Sequence, residues 1–122
     1  MIRDTVSLTE VKEYLKAHPE EFDMIDVAIP TECGTSLCIC GVALHLAGYP
    51  LNVRDDGYAL FDTGCHSNLD VGVQLLGLEG DDLFYHHNWP LENYIAYKNA
   101  TTGAERVDAG IKAIDLYMEG EF

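Results

Sequence analysis

Leu8, Val11 and Leu15 stand three and four positions apart in an otherwise polar stretch, the spacing that puts apolar side chains on one face of a helix. Ser7 and Glu10 form a capping box just ahead of this run, and Val6 and Val11 have the spacing of a hydrophobic staple. A helix is therefore predicted to start at Ser7. His18-Pro19 should end it, because the residue before a proline is pushed out of helical geometry. Pro19-Glu20-Glu21 predicts a short second turn, with proline first and acids near its positive end.

Beyond this, residues 25–29 read as a short extended piece ended by Pro30 and a loop of small residues. Positions 37–47 are apolar nearly all round, with Thr35 or Ser36 as the expected cap, Gly48 as the stop and Pro50 beyond. A helix without a wet face belongs at the centre of a fold. Asp56-Gly57 between two apolar stretches predicts a hairpin over 53–61. A helix is expected over 67–76 with Gly77 as its C-terminal stop, then one helical turn over 81–85. A further helix should begin at Pro90 and run through Tyr97. Thr102 and Glu105 form a second capping box, ahead of a last helix of about four turns with Ala104, Val107, Ile111, Ile114 and Met118 as its buried stripe. The fold class that follows is mainly α, or α+β by virtue of a minor β-hairpin. It is expected to be a compact single-domain helical bundle over 1–122, built around the central apolar helix 37–47.

Charge changes the functional picture more than the fold. Seven Lys and Arg stand against 21 Asp and Glu, a net charge of −14, and no Lys or Arg occurs between Arg54 and Lys98. Nucleic acid and anionic membrane are unsuited partners, since both are held through cationic side chains. A basic protein partner is the expectation, met by carboxylates such as Asp55, Asp56, Asp81 and Asp82. The first residues are charged, with no apolar run of leader or membrane-spanning length, and the expected location is cytoplasmic.

The segment from Cys33 to Gly41 places Cys33, Cys38 and Cys40 near the start of the predicted central helix. A zinc site would have to combine Cys33 and Cys38 with the distant Cys65 and His66, at spacings unlike the usual ligand pairs. Packing of small apolar thiols is the competing reading. Cys38 could be a nucleophile if the helix dipole lowered its pKa, but no His stands at a spacing that fixes a base beside it. His86 and His87, beside Trp89, read as solvent-facing imidazoles on a polar turn. Residues 52–57 imitate the start of a calcium loop only until Arg54 places a cation where an oxygen ligand belongs. There is no glycine-rich phosphate loop and no HExxH or GxSxG motif. No cofactor is expected.

Cys33-Gly34-Thr35, Cys38-Ile39 and Gly41, followed by Ala43 and Leu46-Ala47-Gly48, resemble the CGTxxCIAGxA-like core of an uncharacterised family of small actinobacterial and bacteriophage proteins. Leu76-Gly77-Leu78, Leu83-Phe84, Trp89-Pro90, Tyr94 and the last predicted helix are similar to that family's second half. The chain departs from the pattern at Cys40, where a small residue is usual, and at Val42, where a bulky one often stands. The resemblance implies a phage-encoded or host-accessory context and transfers no functional residue. Two readings follow from the sequence. One is a small acidic interaction protein that binds, and could inhibit, a basic host protein, with an immunity-type antidote as a variant of the same physics. The other is a thiol- or zinc-dependent enzyme centred on Cys38.

Overall fold

A computed structural model describes residues 2–24, 28–31, 34–53, 55 and 59–122, with the backbone alone described at 28–31 and 34–36. Helix α1 (Leu8–Ala17) starts as its sequence dictates. The Ser7 hydroxyl accepts the Glu10 N–H at 3.1 Å, and Glu10 Oε2 accepts the Ser7 N–H at 2.8 Å. Val6 and Val11 are buried beside this cap, and His18 closes the helix before the 3₁₀ turn Pro19–Glu21. Glu10 also bridges Arg3 at 2.8 Å. The Arg3 hydrogen bond, and next the Ser7 backbone N–H, hold its carboxyl down at about 2. A carboxyl whose pKa is lowered by folding stabilises the fold above its ordinary value near 4.5, and that contribution fades as pH falls towards 2. Glu10→Gln should therefore flatten the acid arm of the stability profile in that window, as measured by urea denaturation at stepped pH.

Helix α2 (Ile39–Ala47) lies at the centre of the core, with Ile39, Cys40, Val42, Ala43, Leu44 and Ala47 buried. Its start differs from the expectation. Cys38, not Thr35 or Ser36, is the N-cap, and its Sγ accepts the Gly41 N–H at 3.4 Å. Thr35 and Ser36 instead belong to strand β2 (Gly34–Leu37), which pairs antiparallel with β1 (Ala28–Thr31) from Ala28↔Leu37 to Thr31↔Gly34. The ladder engages the backbone of Thr35 and Ser36 in strand pairing, which leaves the cap position to Cys38. Pro30 fits there because each strand of a two-stranded sheet has an open edge. Of the extended piece predicted at 25–29, residues 25–27 lie outside the described set.

The predicted hairpin is present as β3 (Leu51–Val53) and β4 (Ala59–Phe61), paired Leu51↔Phe61 to Val53↔Ala59. Its expected Asp56-Gly57 turn lies outside the described residues. The described chain thus holds two antiparallel pairs rather than one. Asn68 fastens the second pair to helix α3 (Asn68–Leu76). Its side-chain amide accepts the Phe61 N–H at 3.0 Å and donates to the Phe61 carbonyl at 2.9 Å, gripping one residue of extended chain from both sides. Ser67 caps α3, and Gly77 ends it at φ 65°, with the Leu78 N–H returning to the Val73 carbonyl at 3.0 Å. Helices α2 and α3 approach closely at Gly72, where an added β-carbon would lie 2.6 Å from Cys40 Sγ.

A 3₁₀ turn at Asp82–Phe84 and another at His86–Asn88 lead into α4 (Leu91–Asn99), for which Pro90 is the N-cap. Helix α5 (Gly103–Met118) has Thr102 as its cap, accepting the Glu105 N–H at 3.2 Å. Only that half of the expected capping box is seen among the described bonds, since Glu105 Oε1 accepts from the Thr101 and Thr102 hydroxyls. The buried stripe is also rotated from the prediction. Val107 and Ile114 are buried as expected, but Ala104 and Met118 are exposed, and Gly103, Ala109, Gly110 and Ala113 face inward. Small residues serve here because Phe22 lies against Gly110, 2.8 Å from where a β-carbon would sit, and the Pro19 carbonyl lies closer still at Gly103, at 2.5 Å. Lys12 and Asp115, at 2.6 Å, tie α1 to α5.

A candidate partner-binding groove

Cys38 and Cys40 are buried, whereas Cys65 is exposed in the turn before α3, beside the exposed His66. Cys33 lies outside the described residues. Cys40 donates to the Asn68 carbonyl at 3.3 Å, and burial, followed by the nearby Cys38, pushes its thiol well above its ordinary pKa. That direction is opposite to what a nucleophile needs. Among the described residues no three His, Cys, Asp or Glu side chains converge as metal ligands, so Cys38, Cys65 and His66 are not brought together.

The histidine pair is also placed differently from the expectation. His87 is exposed, but His86 is half-buried, stacked on Tyr94 at 5.8 Å and lying 5.0 Å from the Tyr97 ring. Burial lowers the His86 pKa, helped by the positive charge of Lys98 and by His87, and opposed by Asp23. Trp89 packs on the same cluster and donates its indole N–H to the Leu83 carbonyl at 2.9 Å. The Tyr97 hydroxyl accepts the Met24 N–H at 2.7 Å, and burial pushes its phenol up to about 12. These aromatic groups form a packed layer between α4 and the 22–24 segment rather than an open reactive site.

The carboxylates are arranged to present charge outward. The described Lys and Arg ion pairs are Arg3 with Glu10, Lys12 with Asp115 and Lys112 with Asp108, all on or beside α1 and α5. Asp55, Asp62, Asp70, Glu79, Asp81, Asp82 and Glu92 are exposed, in the part of the chain that has no cation of its own. Asp56 lies outside the described residues. Asp55 sits at the β3–β4 hairpin, while Asp81 and Asp82 begin the 3₁₀ turn after α3.

That turn borders a groove of about 570 Å³. Leu8 of α1, Leu76 and Leu78 at the end of α3, and Tyr117, Met118 and Phe122 at the end of α5 supply its apolar lining. Glu79 and Asp82 supply its charge, and among the described residues no Lys or Arg lines it. The Glu79 N–H donates to the Tyr117 hydroxyl at 3.1 Å, and Phe122 meets the Tyr117 ring edge-on at 5.1 Å, so the two sides of the groove are joined. Met118 and Phe122 are 52% and 42% exposed, which leaves apolar surface open to a partner. Asp82 is among the carboxylates the sequence singles out, and these apolar residues are not. The usable signal was Met118, which the periodicity places in the core.

Comparison with known protein families, with curated proteins and with solved structures finds no match to this chain. Among the described residues no helix is long and apolar enough to cross a membrane.

Proposed function

We propose that this protein is a small acidic interaction protein that binds, without catalysis, a basic protein partner through the groove bordered by Asp81 and Asp82. The observation that supports this reading most is the combination in one groove of open apolar surface and carboxylates, with no Lys or Arg in its lining among the described residues. The apolar lining provides affinity by burial, at about 25 cal/mol per Å² of apolar surface removed from water. Glu79 and Asp82 select for a positively charged rim on the partner, and Asp55 and Asp56 add to the long-range field that speeds encounter. A cytoplasmic setting, and a phage-encoded or host-accessory role in which binding inhibits the partner, belong to the same proposal.

The test is a pull-down with the tagged protein from a bacterial lysate at low and high salt, followed by titration of the captured partner. A basic protein held at low salt should be shed at high salt. Asp81→Lys with Asp82→Lys should weaken its binding by about tenfold or more at low ionic strength. Asp55→Lys with Asp56→Lys should slow association while leaving dissociation unchanged. Binding indifferent to salt and to the Asp81 and Asp82 reversals would overturn the proposal.

A further inference from the structure

Asn93, in the first turn of α4, is 7% exposed, and its side-chain amide has no hydrogen-bond partner among the described residues. Its backbone N–H is satisfied by the Pro90 carbonyl at 2.9 Å. No side-chain nitrogen or oxygen among the described residues is both sealed from solvent and unpartnered. The Asn93 amide therefore looks out through the opening it lines, a cleft of about 450 Å³ between α4 and α5 that it shares with Glu92, Ala96, Lys112, Asp115 and Leu116. A second cavity, of about 540 Å³, shares Ala96 and Lys112 with the first and continues along the two helices past Ala104, Asp108 and Ala109. The two form one trough with a floor of small side chains.

A primary amide offers one acceptor and a donor side by side. One residue of extended chain offers the complementary C=O and N–H on the same edge. This protein already makes that match internally, where Asn68 holds both backbone groups of Phe61. Asn93 has the same chemistry available and unspent, at the mouth of a trough shallow enough for a backbone to approach.

We propose that the α4–α5 trough is a second binding site, which takes an extended peptide segment of a partner protein with Asn93 pairing to both backbone groups of one residue. Glu92, Glu105, Asp108 and Asp115 outnumber Lys112 and the Lys12 that is bound to Asp115, so the preferred segment is neutral to basic. Ala96 and Ala109 let its backbone lie close, and Leu116 gives one of its side chains an apolar contact. The site stands on the Asn93 amide and is independent of the groove at Asp82.

The probe is a yeast-displayed library of random dodecapeptides, selected on the wild-type protein and then measured as synthetic peptides. Neutral or basic peptides should be enriched. Their affinity should fall by about tenfold or more with Asn93→Leu, the loss expected for a bidentate pair. Ala96→Trp, which blocks the trough from an exposed position, should do the same, while Asp82→Lys should leave binding unchanged. Asn93→Leu should also raise Tm by a few degrees, since it replaces an unpartnered amide by an apolar side chain of similar size. A lowered Tm would give the amide a structural role and overturn the proposal. So would peptides that bind Asn93→Leu as tightly as wild type, or a selection that enriches nothing on wild type beyond what it enriches on that variant. Peptides lost only with Asp82→Lys would overturn the trough and leave the groove reading standing.

Discussion

Phe22→Ala is expected to remove about 3–5 kcal/mol of stability, the largest loss predicted for any single substitution proposed for this protein. Phe22 is 1% exposed, with its ring against Gly110 and at 6.1 Å, edge-on, to Tyr97. Its size at fixed position sets the cost, because the surroundings cannot move in. The wall opposite the ring is helix backbone at Gly110, which has no side chain to swing into a cavity. The Phe22 carbonyl is meanwhile held by Arg106 Nε at 3.3 Å, and the residue bridges to Leu37. Against the ~5–15 kcal/mol that a domain of this kind has in total, the variant should be close to half unfolded in mild denaturant. Urea titration read by the fluorescence of Trp89, the single tryptophan, measures it. A loss below about 1 kcal/mol would mean that α5 and the 22–24 segment can close over the gap.

Gly72→Ala should cost about 1–3 kcal/mol, even though alanine is the better helix former by about 1 kcal/mol. The new methyl would meet Cys40 Sγ at 2.6 Å and the Phe84 ring at 3.1 Å, and Cys40 is fully buried on α2. The cost should therefore depend on what stands at position 40. In a Cys40→Ala background the same Gly72→Ala change should cost at least ~1 kcal/mol less, a coupling that distant sites do not show. Strict additivity in the four-protein cycle would mean that α2 and α3 separate to accommodate the methyl. The pair also gives a physical reason for the thiol at position 40. It fills the space that the missing side chain at Gly72 leaves open, and its S–H meets the Asn68 carbonyl.

What was readable in the sequence was local. The Ser7 and Glu10 cap, the Gly77 stop and the Pro90 start each depend on a few neighbouring residues, and all three are where the pattern put them. The start of α2 was misplaced because Thr35 and Ser36 have cap chemistry but were claimed by pairing with residues 28–31, which no local rule weighs. On α5, hydrophobic spacing favoured Ala104 and Met118. The helix instead turns Gly103 and Gly110 inward, since the determining quantity is how near Pro19 and Phe22 come. Glycine counts for nothing in a hydrophobic periodicity. At the groove, Asp82 was named for its charge alone, while the apolar lining joins Leu8 to Phe122 across nearly the whole chain, and only the fold brings those together.

The contact between α1 and α5 has a consequence for how the protein is made. Lys12 and Asp115 are 103 positions apart, and Met24 meets Tyr97 across 73. During synthesis at about 5–20 residues per second, α1 leaves the ribosome roughly 5–20 s before its partner helix exists. Through that interval Val11 and Leu15, fully buried in the finished fold, have no α5 to cover them.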